Sequence, residues 1–71
     1  MNIELASAST IKITWPYYDS AIEAEIVQRL NTVPGIEGRP RRYYAPVIQL
    51  PRLMNLFPKA SFDYAAMVAA D

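Results

Sequence analysis

The chain has 71 residues, 52% of them apolar, with seven basic and seven acidic side chains and neither cysteine nor histidine. That length makes a single domain, residues 1–71, near the lower limit for a core that stands unaided. The missing residue types exclude disulfides and thiolate metal sites, and they remove the commonest general base and metal ligand. The opening Met1-Asn2-Ile3-Glu4-Leu5 has neither the basic region nor the apolar run of a signal peptide. No apolar run approaches the roughly 20 residues that span a bilayer. The expectation is a soluble, intracellular, cytoplasmic protein with no membrane partner.

Ile3 and Leu5 alternate with Asn2 and Glu4, which predicts a short strand with one buried face. Ser7-Ala8-Ser9 turns the chain into a second strand. There Ile11, Ile13 and Trp15 point one way, and Thr10, Lys12 and Thr14 the other. The two strands form a hairpin, and Pro16 ends the second by withholding a backbone donor. Asp19 is a good N-cap for the helix that follows, while Ser20 with Glu23 offers a capping box as a competing start. Ile22, Ile26, Val27, Leu30 and Val33 recur at helical spacing and predict one buried stripe. Pro34 and Gly35 stop that helix.

Ile36-Glu37 opens a third strand, Gly38-Arg39-Pro40 is the expected turn, and Arg41 to Ala45 the return. Alternation puts Arg41, Tyr43 and Ala45 on one face, and Arg42 and Tyr44 on the other. After Pro46, Gln49-Leu50-Pro51 starts a short helix with Leu53, Leu56 and Phe57 inside. Ser61 is expected to cap a last helix, with Asp63 in its first turn and Phe62, Ala65, Ala66 and Ala69 as a thin contact stripe. The fold class is α+β: a small antiparallel sheet of two hairpins packed on one longer helix, followed by two short helices.

The formal net charge of zero hides an asymmetry. Residues 36–59 set Arg39, Arg41, Arg42, Arg52 and Lys59 against Glu37 alone, a balance of +4, and the rest of the chain carries −4. Within that segment, Arg39-Pro40-Arg41-Arg42-Tyr43-Tyr44-Ala45-Pro46 packs positive charge and aromatic rings together. Guanidinium groups pair with phosphates and rings stack on bases. The candidate nucleic-acid contacts are therefore Arg39, Arg41, Arg42, Arg52 and Lys59, with whichever of Tyr43 and Tyr44 faces outward. The plainer alternative is a solvated hairpin whose tyrosines prop up the sheet. Trp15 reads as core, its indole N–H on a carbonyl, rather than as a stacking platform.

Catalysis finds little support. Glu23 and Glu25 would diverge by about 200° on a helix. The serines have no histidine to activate them, and two glycines make no phosphate-cradling loop. The expectation is a non-enzyme with no catalytic residue, cofactor or metal.

A strand ending in Trp15-Pro16-Tyr17, an acid-capped helix, Val33-Pro34-Gly35, a basic hairpin and then Arg41-Arg42-Tyr43-Tyr44-Ala45-Pro46 resemble the HARP (HepA-related protein) domain. That family, with relatives at the N-termini of phage and bacterial DEAD/DEAH-type helicases, has a strand ending in apolar-Pro-Tyr and, after its helix, a basic-x-Trp-x-Val-Pro strand. Arg41, Tyr43 and Pro46 fall on the basic, Trp and Pro positions, with tyrosine in place of tryptophan. Leu56-Phe57-Pro58 and Ala60-Ser61-Phe62-Asp63 look like the passage toward a helicase core, so the resemblance covers residues 11 to about 64. Ile36-Glu37-Gly38 departs from it, lacking the usual basic and aromatic residues.

The resemblance implies an accessory DNA-binding module of annealing or remodelling helicases, in replication or repair, that recognises structured or forked DNA, with a helicase core as partner in cis or in trans and no ATPase of its own; the expected ligand is structured or single-stranded DNA. It implies that Tyr43 is the buried ring, which leaves Tyr44 to stack. Two other functions remain open on the residues. One is a small protein-interaction module, such as a phage protein docking on a replication or host protein. The other is a homo-oligomer built through the alanine-rich C-terminal helix.

Overall fold

A computed structural model describes residues 1–70. Strands β1 (Asn2–Leu5) and β2 (Thr10–Thr14) form the first hairpin, with Ile3 opposite Ile13 and Leu5 opposite Ile11. Its loop is closed by the Ala6 and Ser7 N–H groups, both donating to the Thr10 carbonyl at 2.8 and 3.1 Å. Helix α1 (Ser20–Leu30) starts at Asp19, whose Oδ1 accepts the Ile22 N–H at 2.8 Å. Asp19, held in an extended conformation outside the helix, is the cap; Ser20 lies inside the first turn. Gly35 follows at φ +77, and a Cβ there would lie 2.8 Å from the Pro46 ring. Both conformation and space select glycine.

Strands β3 (Glu37–Arg39) and β4 (Arg42–Pro46) form the second hairpin, joined by Pro40-Arg41. The expected turn at Gly38-Arg39-Pro40 is therefore displaced, because Gly38 and Arg39 both pair in the ladder. A 3₁₀ turn, Val47–Gln49, leads into α2 (Leu50–Leu56), with Pro51 in its first turn. Ser61–Phe62 forms β5 and pairs parallel with β1, and α3 (Tyr64–Ala70) follows. Ser61 is thus a strand residue, its N–H on the Met1 carbonyl at 2.9 Å. Asp63 precedes α3, and its carbonyl accepts the Met67 N–H at 3.1 Å.

The five strands make one mixed sheet in the order β3-β4-β2-β1-β5. The α+β class stands, with two corrections. The sheet is extended by a parallel edge strand, and α1 does not cover it alone. Of α1 only Leu30 is buried, Ile26 and Val27 are half-buried, and Ile22 is 44% exposed. Cover is shared: Leu30 of α1, Leu50 and Leu53 of α2 and Ala66 of α3 join Ile3, Ile11, Ile13, Tyr43 and Ala45 in one cluster. In α3, Ala65 is exposed rather than packed, and Ala69 lies outside the residues whose side chains are described.

Because side chains alternate along a strand, this clustering leaves the other sheet face bare. Its residues on β1 to β4 are half-buried or exposed, and none is buried.

Candidate nucleic-acid interface

Tyr43 and Tyr44 take opposite faces. Tyr43, 8% exposed, stacks on Trp15 with ring centroids 5.9 Å apart and planes 6° from parallel. Trp15 is core as expected, but its buried indole N–H meets no acceptor among the described residues, so the expected carbonyl partner is absent. Tyr44 stands half-buried on the bare face, two residues from Arg42.

Register sets the company Tyr44 keeps. One row across the bare face reads Glu4, Lys12, Tyr44, Glu37, and the next reads Asn2, Thr14, Arg42, Arg39. Arg39 and Arg42 are thus direct cross-strand partners, both exposed, and neither has an ion pair among the described residues. Like charges opposed across a ladder repel and destabilise it. In the adjacent row Lys12 is neutralised by Glu4 at 3.4 Å.

Arg41 behaves differently. It occupies the second central position of the turn at φ 75, after Pro40. Proline first and positive φ second is the type II pattern, which normally takes glycine or asparagine at the second position. An L side chain there costs about 1–2 kcal/mol. The guanidinium turns back toward α1, 3.4 Å from Glu23 Oε1 and 5.6 Å above the Tyr17 ring. Its charge is therefore partly committed within the fold.

The six sequence candidates separate into three places. Arg39, Arg41, Arg42 and Tyr44 line one hollow of about 510 Å³ at the hairpin. Arg52 sits on α2 with its Nε donating to Gln49 Oε1 at 3.3 Å. Lys59 stands with Arg29 at the rim of a separate groove whose walls include Tyr18, Ile26, Leu56 and Phe57. The structure does not bring Arg52 or Lys59 to the hairpin hollow. Sequence reasoning missed Thr14, Asn2 and Glu37 as neighbours of the arginines and Tyr44. Alternation placed Thr14 opposite the core residues, but nothing local told that β2 lies beside β4.

No family model, curated protein or solved structure matches the chain. The HARP resemblance therefore rests on the quoted residues alone. Among the described residues no cluster of three metal-ligating side chains occurs, and no helix is long and apolar enough to cross a membrane.

Proposed function

We propose that the chain is a non-catalytic nucleic-acid-binding module whose contact surface is the β3–β4 hairpin and the bare sheet face beside it. The ligand is DNA, structured or single-stranded, and the module serves a helicase core inside the cell, as the HARP resemblance implies. The observation that carries this reading is the Arg39–Arg42 pair, opposed without a counterion among the described residues and set beside an outward tyrosine. A fold gains nothing from that juxtaposition, whereas a phosphate backbone neutralises it and a base can lie on the ring. Arg41, held by Glu23, contributes to the field more than to contact.

Reversing Arg39 and Arg42 to Glu tests it. Fluorescence anisotropy on a single-stranded oligonucleotide should show binding abolished, with the circular dichroism spectrum unchanged. Retained binding moves the site elsewhere, and loss of the spectrum makes the arginines structural.

A second reading, a protein-interaction module, is favoured by one observation. Tyr18 is 45% exposed and lines an apolar groove with Ile26, Leu56 and Phe57, where Arg29 is already bound to Glu25 and the Leu56 carbonyl and Lys59 has no ion pair among the described residues. Such a groove suits an apolar partner segment that carries an acidic residue. A tyrosine- and isoleucine-centred contact of that kind has a shallow salt dependence, unlike phosphate neutralisation.

A further inference from the structure

Glu37 poses a problem for a phosphate-binding face. It is exposed, lies directly across the ladder from Tyr44, and has no cation partner among the described residues. A carboxylate beside a bound phosphate would weaken binding. Yet the carboxylates of this face, Glu4 and Glu37, fall in the Tyr44 row, and the Arg39–Arg42 row holds none. Tyr44 lies between two hollows: one lined by the three hairpin arginines, the other by Glu37, Ser9 and Thr10. The face is thus divided along the strands into a donor row and a row with an aromatic ring flanked by an acceptor.

We propose that the site, on the nucleic-acid reading above, takes a single strand and selects bases that carry an exocyclic amino group, cytosine, adenine or guanine, over thymine, through Glu37. The donor row of Asn2, Thr14, Arg42 and Arg39 holds the phosphate backbone as it crosses the strands. Tyr44 is half-buried on the open face of the sheet, with no cleft among the described residues to admit a paired duplex edge, so the base that lies on its ring is an unpaired one. Directly opposed residues have Cβ atoms about 4.5–5.5 Å apart, so the edge of a base stacked on Tyr44 comes within reach of Glu37. A carboxylate accepts a hydrogen bond from cytosine N4, adenine N6 or guanine N1 and N2, whereas thymine offers a single N3–H set between O2 and O4, two acceptors that repel the carboxylate. Lys12, on the other side of Tyr44, is held by Glu4 and adds no comparable selection.

The test compares oligo(dC), oligo(dA) and oligo(dT) of equal length at pH 7.5 and one salt concentration, on the parent chain and on Glu37→Gln. The parent should bind oligo(dC) and oligo(dA) roughly fivefold more tightly than oligo(dT), the lower end of what one good base contact discriminates. Glu37→Gln should bring the ratio near one by strengthening oligo(dT) binding, since the amide donates to thymine O4. Equal binding of all three by the parent overturns the inference while leaving the nucleic-acid reading in place. A preference that survives in Glu37→Gln overturns the role of Glu37. Binding of none removes both.

Discussion

The two hairpins of this sheet are built on opposite terms. In β1–β2 the inward residues Ile3, Ile11 and Ile13 are essentially fully buried, and on the outer face Lys12 meets Glu4 at 3.4 Å. Each charge there has a partner, and the loop closes through ordinary backbone hydrogen bonds. In β3–β4 two arginines oppose one another, a third stands at positive φ in the turn, and Glu37 faces Tyr44 with no cation partner among the described residues. Gly38, at φ +132, is required because a Cβ there would run into the Arg42 carbonyl. The first hairpin satisfies its own interactions. The second hairpin carries opposed arginines that have no ion pair among the described residues, and an arginine at positive φ in its turn.

The comparison breaks most visibly at the two adjacent tyrosines. Tyr43→Ala removes a ring stacked on Trp15 and should cost about 3–5 kcal/mol, read as a lowered melting temperature. Tyr44→Ala should leave the melt nearly unchanged and weaken single-strand binding by about 1–3 kcal/mol. If Tyr44→Ala is the destabilising change, the functional assignment of the outer face is lost.

A smaller effect sharpens the contrast within α1. Leu30→Ala, at a fully buried position, should cost about 2–5 kcal/mol, whereas Ile26→Ala should cost clearly less because Ile26 is only half-buried. Equal losses in urea unfolding would show that α1 sits deeper on the sheet than its exposed Ile22 indicates.

The smallest effect lies at the turn. Arg41→Gly relieves about 1–2 kcal/mol of backbone strain and gives up an exposed ion pair worth about 0–1 kcal/mol. Stability should hold or rise slightly. A marked loss of stability would mean that the Glu23 and Tyr17 contacts pin the hairpin to α1 and that Arg41 is there for the fold.

Local chemistry made much of this legible. Asp19 as cap, the Ile11-Ile13-Trp15 face and the opposite facing of Tyr43 and Tyr44 all follow from spacing and alternation. What it could not supply was non-local or independent of side chains. The two residues of β5 carry no periodicity, and their pairing comes from the Ser61 and Asp63 N–H groups donating to the Met1 and Ile3 carbonyls. The α1 stripe told which residues are apolar, but not how much of the stripe α2 and α3 would leave uncovered. The turn was misplaced because Arg41 adopts a conformation that residue type rarely takes. At the site, Arg39, Arg42 and Tyr44 were readable, whereas the β2–β4 pairing that sets Thr14 beside Arg42 and Lys12 beside Tyr44 was not.

The most direct measurement is the salt dependence of single-strand binding by the parent chain and by a variant with both Arg39 and Arg42 changed to Ala. A phosphate contact with each arginine predicts a linear fall of log affinity with log salt, and a slope shallower by about 1.4 in the double variant, roughly 0.7 for each phosphate released. An unchanged slope, or binding indifferent to salt in both proteins, would contradict a phosphate-binding hairpin.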